Sequence, residues 1–314
     1  MSSLLSKISE KSAAKSGELP RLISLSLLFF FLVVAMSIKV RLLDFPLERD
    51  EGAFSYMAKL VLSGERLYVD GFDFKPPGLY LAYALFMKIF GETAGGIRAG
   101  LLVFTGLSVC MFFQISRKML SPTASLAGTL AFSVFAVSPA FLSHAAHATQ
   151  VVILPLLLGL WSIFSFFKKP SRALPLIGGV AMGVAFFVKQ PALIFGFFGG
   201  AFFLFSGYFS GESTKWITVL NAVFYIAGFL IPVFFILAWL SYTTSLSEYW
   251  FWNFTYPRDY GTVLGLKEGL SNFRIMFPNV VGNFKGMWLI CISGLLFLPF
   301  YNKGCKYGVL IGGL

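Results

Sequence analysis

The stretch LYLAYALFMKIF, residues 79–90, decides how this chain is threaded. It is apolar, but it carries Lys88 and is too short to cross a hydrocarbon core about 30 Å thick, which takes about 20 helical residues. Longer apolar runs lie on both sides of it, at 22–39, 94–114, 123–142, 151–167, 173–188, 191–209, 216–239 and 286–301, and another opens at 307. If 79–90 crossed, every later run would change direction. Basic residues settle the choice. With 79–90 at the interface or re-entrant, Arg117 and Lys118, Lys168, Lys169 and Arg172, Lys215, and Lys303 and Lys306 all share a side with the N-terminal tail and its Lys7, Lys11, Lys15 and Arg21. Clustering of Lys and Arg in short loops on one side is the positive-inside pattern, so that side is cytoplasmic.

Composition agrees with this threading. The chain is 57% hydrophobic and 12% charged, whereas a water-facing surface needs roughly 25% charged residues. Its mean hydropathy is +0.79. Runs of this length suit helices rather than the alternating segments of about 10 residues that build a membrane barrel. The expected class is an all-α, polytopic transmembrane protein, with a basic cytoplasmic tail at 1–21 and one transmembrane domain over 22–314. The net charge of +11 sits in loops between apolar runs, so it reports orientation and gives no reason to expect nucleic acid. No small-residue cleavage site follows the first run, which reads as a retained helix and not a signal peptide. Cys110 and Cys291 fall in apolar runs and Cys305 in a cytoplasmic loop, so no disulfide framework or metal spacing is visible. The chain carries no secretory-pathway signature, so the expected location is a bacterial inner (plasma) membrane. Because GVLIGGL ends inside an apolar run, the sequence reads as a fragment lacking its C-terminal part.

This threading places 40–93, 143–150, 189–190 and 240–285 on the outer face, and function is sought there. LERDEGAFSYMA, residues 47–58, opens an amphipathic helix in which Phe54, Met57, Ala58, Val61 and Leu62 share a face, Ser55, Lys59 and Ser63 oppose them, and Gly64 stops the run. Such a helix lies along the membrane surface. Four of the chain's five aspartates, Asp44, Asp50, Asp70 and Asp73, fall in this one loop. Asp50 and Glu51 stand where carboxylates cap a helix and favour its dipole, which is one reading of the pair. Further on, GFDFKPPGLY holds Lys75 in extended backbone before two prolines, rigidly at the lipid boundary. That lysine either snorkels to the headgroups or receives the phosphate of a lipid carrier.

ERDEG, followed by an amphipathic helix and SGERLYVDGFDFKPPGLY, resembles the first outer loop of the GT-C glycosyltransferases. The nearest branch is that of the bacterial protein-mannosyltransferase-like and lipid A aminoarabinose transferase-like proteins, glycosyltransferase family 39-like. The similarity runs on through FGETAGGIRAG, SPAFLSHAAHATQ and GVAFFVKQPAL, over roughly 40–200. It implies a GT-C fold and transfer of a sugar, with inversion, from a polyprenyl-phosphate carrier to a hydroxyl acceptor on the outer face. Carried over, Asp50 matches the catalytic carboxylate that takes the acceptor's proton. Lys75 matches the cation that meets the departing lipid phosphate. Glu51 is assigned to support or sugar binding, and Arg49 either binds phosphate or pairs with Asp50.

In the second outer loop many relatives carry an acidic residue where this chain has Gln150. An amide can bind a sugar but is a poor hard-metal ligand, so the sequence does not support a divalent metal. His144 and His147 are spaced to share a helix face, as interfacial polar residues or as ligands. Two histidines without a third ligand make a poor zinc site. Lys189 and Gln190 form a turn on the outer face, near the lipid phosphate or snorkelling. EYWFWNF, residues 248–254, is an aromatic belt or a sugar-stacking cover. GGVAMG (178–183, Gly179 to Gly183) and GFFGG (196–200, Gly196 to Gly200) place small residues four apart for close helix packing in lipid. A competing reading is a non-enzymatic lipid-carrier transporter or cell-envelope assembly subunit, which would need the cations but no base beside them.

Overall fold

The computed structural model of the protein describes residues 22–23, 25–205, 215–244, 246–261, 263, 265–282 and 285–301. The tail 1–21, Lys303, Cys305, Lys306 and the apolar run from 307 lie outside these described residues. The chain divides into two compact units, Met1–Asn253 and Phe254–Leu314.

The first unit contains α1 (25–41), α2 (Arg49–Ser63), α3 (Pro77–Phe90), α4 (Ala94–Met119), α5 (Pro122–Phe135), α6 (Ala148–Val151), α7 (Ile153–Lys168), α8 (Ala173–Val188), α9 (Leu193–Leu204), α10 (Lys215–Thr243) and α11 (Leu246–Trp250). The second contains α12 (Tyr256–Gly261), α13 (Leu266–Gly282) and α14 (Lys285–Tyr301). No strand occurs among the described residues, and the protein is an all-α, polytopic membrane protein. Among the described residues, three stretches are long and apolar enough to cross a membrane: Ala94–Met119, Ala148–Lys168 and Trp216–Thr243. The piece at 79–90 is the body of α3, which is among the shorter apolar helices.

Small residues decide how these helices pack, because without water between them helices in lipid gain mainly from close van der Waals contact. A side chain at Gly179 would strike the Tyr225 carbonyl of α10, and one at Gly183 would come within 2.5 Å of Pro232 Cγ. From the other side, Gly228 of α10 leaves room for the Leu176 carbonyl of α8. The α9 glycines meet the same helix. Tyr225 donates its hydroxyl to the Gly196 carbonyl at 2.8 Å, and its ring fills the space beside Gly199. The two small-residue motifs therefore press α8 and α9 onto α10.

The 123–142 run is helical only as far as Phe135. Pro139 supplies no N–H to continue the ladder, and a short 3-10 turn, Pro139–Phe141, ends at Leu142 in the left-handed region (φ 51°). The chain then turns through 143–147 before α6. That turn separates His144 from His147: His147 is the N-cap residue of α6 and His144 precedes the helix, so they share no helix face.

Candidate active site

The acidic stretch forms the first turn of α2, and its three carboxylates are used differently. Glu48 is the N-cap residue and accepts the Asp50 N–H at 2.8 Å, while Glu51 Oε2 accepts the Glu48 N–H at 2.9 Å. This reciprocal capping box satisfies two of the helix's orphan donors. Gly64, at φ 75°, closes the other end of α2 in the left-handed conformation that glycine adopts most cheaply. Phe54, Met57 and Ala58 are buried along one face, as the spacing requires, whereas Leu62 is exposed.

Glu51 is fully buried, and α4 supplies its counter-charge. Arg98 Nε and Nη2 donate to Glu51 Oε1 and Oε2 at 3.3 and 2.7 Å. The remaining guanidinium N–H groups go to the carbonyls of Leu42, Phe45 and Pro46. All five donors of Arg98 thus have acceptors. Glu51 Oε1 also accepts the Ala146 N–H at 2.7 Å. One ion pair therefore ties together the α1–α2 connection, α2, α4 and the turn before α6. Of the two roles open to Glu51, this geometry matches support, because both oxygens already accept hydrogen bonds from the protein.

Capping leaves Asp50 over. Its carboxylate is half-buried at the edge of the turn, with Arg49 Nε and Nη2 donating to Oδ1 at 3.3 and 3.2 Å and His147 Nε2 lying 3.1 Å from Oδ2. Burial pushes the Asp50 carboxyl up, but the hydrogen bonds and charges of His147 and Arg49 outweigh it, so the group lies below the usual carboxylate range. Asp50 is held ionised and accessible, as a general base must be. Arg49, whose side chain is almost fully exposed, is seen here as a partner of Asp50.

The cationic side is built by the Lys-Pro-Pro-Gly turn. Pro76 precedes α3 in extended backbone, and Pro77 occupies its first turn, where a missing N–H costs nothing. Gly78 lets that turn touch the end of α8, since a Cβ there would stand 2.6 Å from the Phe187 carbonyl oxygen. Two residues past Phe187 comes Lys189, and Gln190 Nε2 donates to the Phe74 carbonyl at 3.2 Å. Lys75 and Lys189 are consequently neighbours. Burial, and then the positive charge of Lys75, push the Lys189 amine below its usual value. Among the described residues neither lysine has a carboxylate within ion-pair distance. Tyr68 also pins the turn, donating its hydroxyl to the Lys75 carbonyl at 2.9 Å from a backbone at φ 68°. A non-glycine residue held there costs on the order of 1–3 kcal/mol.

The two halves meet on Phe54. Its buried ring packs edge-on to His147, with centroids 6.2 Å apart, and Lys75 Nζ stands 5.8 Å from its centroid. Asp73 is close enough to feel the charges of both Lys75 and Asp50. Burial raises its carboxyl above the usual range despite the pull of Lys75. Beside this turn Trp252 stacks on Phe72, centroids 4.9 Å apart and planes at 11°, and with Tyr68 and Glu248 they line a cleft of about 620 Å³. At least this part of the aromatic stretch packs on the first loop.

Gln150 donates its backbone N–H to the His147 carbonyl at 2.8 Å, and its side-chain amide turns to the Phe141 carbonyl at 2.9 Å. His144 Nδ1 is buried with no hydrogen-bond partner among the described residues. Among the described residues no three His, Cys, Asp or Glu side chains form a metal cluster. Two participants were not legible as such in the sequence. Arg98 had one signal, a charge inside an otherwise apolar run, which is costly unless paired. His147 stood out only as an interfacial residue or ligand, and its contact with Asp50, which bridges 97 positions, had no signal.

Residues 74–242, more than half of the chain, match the family model described as dolichyl-phosphate-mannose-protein mannosyltransferase. No curated protein and no solved structure matches the chain. The match covers the Lys-Pro-Pro turn, Arg98, His147 and Lys189, and the chain belongs to this GT-C family of membrane glycosyltransferases, whose donor is a lipid-linked sugar.

Proposed function

We propose that the protein is an inverting glycosyltransferase that moves a sugar from a polyprenyl-phosphate carrier to a hydroxyl acceptor on the outer face of a bacterial inner membrane. The observation that carries this reading is an ionised, accessible carboxylate, Asp50, in contact with His147, whose ring shares the Phe54 wall with Lys75, which in turn crowds Lys189. A base and an anion receptor side by side are what displacement of a phosphate by a hydroxyl needs. A carrier transporter would use only the second, and family membership also favours the enzyme.

In the reaction Asp50 takes the acceptor's proton as its oxygen bonds to the anomeric carbon. The bond from that carbon to the phosphate oxygen breaks, and the electron pair leaves with polyprenyl phosphate. Lys75 and Lys189, already repelling each other, gain a counter-charge as the leaving group becomes more anionic, so they stabilise the transition state more than the ground state. Gln190 fixes the turn between them. Glu51 acts through Asp50 by holding the first turn of α2, and Arg49 steadies the carboxylate. Gln150 is left for the sugar or acceptor. The basic loops orient the chain with its N-terminus in the cytoplasm, which puts the site outside.

The test is to supply membranes containing the protein with radiolabelled polyprenyl-phosphate sugars, mannose and aminoarabinose among them. Label moving to a hydroxyl-bearing acceptor with inverted anomeric configuration supports the reading. Failure of every donor to give either transfer or release of polyprenyl phosphate would overturn it.

A further inference from the structure

His147 touches Asp50, and nothing in the mechanism above uses it. Its Nε2 is 3.1 Å from Asp50 Oδ2, and its Nδ1 is 3.1 Å from Thr149 Oγ1. An ionised carboxylate only accepts hydrogen bonds, so Nε2 carries a hydrogen in the resting pair. The Thr149 hydroxyl either donates or accepts. The ring can therefore be neutral, with Nδ1 accepting from Thr149, or protonated, with Nδ1 donating to it, and neither contact breaks.

The imidazole is also fixed in place by groups that do not depend on Asp50. The Ala146 N–H next to it is held by Glu51, and the Ala146 carbonyl accepts the Tyr83 hydroxyl at 2.6 Å. Lys39 Nζ donates to the Ser143 carbonyl at 2.5 Å, anchoring the start of the same turn. Phe54 packs on the ring. The charged and titratable groups around it are then Asp50 and Arg49 on α2, the Glu51–Arg98 pair between α2 and α4, Tyr83 on α3, Lys39 on α1, and His144 in its own turn.

Resting on the reading of Asp50 as the base, we propose that His147 is its positioning residue and its protonation gate. The neutral ring donates one hydrogen bond and leaves the carboxylate basic, while the imidazolium locks it in an ion pair too weakly basic to take the acceptor's proton. Histidine is the side chain whose charge change belongs to the physiological range. Asp50, held low by its partners, takes up its own proton at more acid pH than an ordinary carboxylate. Loss of activity on mild acidification therefore follows the ring and not the base. No proton is stored in the pair: the acceptor's proton goes to Asp50 and from there to water.

The experiment is the pH profile of kcat/KM for sugar transfer by the full chain, as wild type, His147→Gln and His147→Ala. Gln places an amide N–H about where Nε2 was, but it does not titrate. The expected result is a one-proton acid limb in wild type, and a His147→Gln variant that works within about tenfold of wild type, lacks that limb and stays active to lower pH. His147→Ala should lose roughly 10²-fold in kcat at every pH, the scale of a misplaced catalytic group. The chain has two histidines, so in a His144→Gln background the single imidazole NMR signal reports His147 directly, and its titration should coincide with the acid limb. An acid limb that persists in His147→Gln, or an imidazole titration that falls elsewhere, overturns the gate while leaving Asp50 as the base. Absence of transfer by wild type at any pH overturns the functional reading and the gate with it.

Discussion

Glu51 and Arg98 form a buried ion pair at 2.7 Å, with side-chain exposures of 0% and 3%. Four hydrogen bonds converge on the two oxygens of Glu51, so the pair holds the turn that presents Asp50. Burying two charges gains little net stability, but removing one partner strands the other. Arg98→Met should cost about 3–5 kcal/mol, read as a lower melting temperature in detergent. Adding Glu51→Leu should recover only part of the loss, since the Glu48 and Ala146 N–H groups then lack acceptors. A double variant as unstable as the sum of both singles would show that the pair is not coupled.

Gly179 and Gly200 both face α10 but differ in the room they have. A methyl at Gly179 collides with backbone at Tyr225, whereas one at Gly200 meets the Tyr225 ring at 3.6 Å, an ordinary contact. Gly179→Val should abolish the folded, detergent-stable protein, and Gly200→Ala should change stability by less than about 0.5 kcal/mol. Size-exclusion profiles and melting curves of the two variants distinguish them.

Asp73 is expected to work against stability. Its folded-state carboxyl is raised by burial, so ionising it is harder in the folded than in the unfolded chain. The cost is fully present above the folded value, declines as pH falls through it, and is gone below the ordinary carboxylate range. Asp73→Asn should therefore raise the melting temperature at neutral pH and make no difference in strong acid. A lower melting temperature at pH 7 would mean that Lys75 compensates the burial.

Lys189 should show the opposite trade between stability and rate. Its amine is pushed down by burial and by Lys75, so its charge is unfavourable until an anion arrives. Lys189→Met should melt higher than wild type yet lose on the order of 10²-fold in kcat with a polyprenyl-phosphate donor. Faster or unchanged turnover would remove Lys189 from the phosphate site.

Much of this was legible in the sequence because it depends on local patterning. Run lengths gave the helical class, the spacing of Phe54, Met57 and Ala58 gave the buried face of α2, and the spaced glycines gave close packing before their partner helix was known. Two prolines marked the Lys75 turn. Contacts formed by chain closure were not legible: Arg98 reaches Glu51 across 47 positions and His147 reaches Asp50 across 97. The end of α5 is not legible for another reason: the apolar run continues to Leu142 although the helix stops at Phe135, before Pro139. Hydropathy measures what lipid tolerates and not what the backbone can form.

The central claim is that Asp50 takes the acceptor's proton, and Asp50→Asn tests it most directly. The amide keeps the shape of the side chain and can still meet Arg49 or His147 through its oxygen, and the helix keeps its Glu48 cap, so the variant should fold with nearly the wild-type melting temperature. Sugar transfer from a radiolabelled polyprenyl-phosphate donor is the readout. The account predicts a fall in kcat of about 10²–10⁴-fold, the usual worth of a general base, with donor KM little changed. Transfer at the wild-type rate by the folded Asn variant would contradict it.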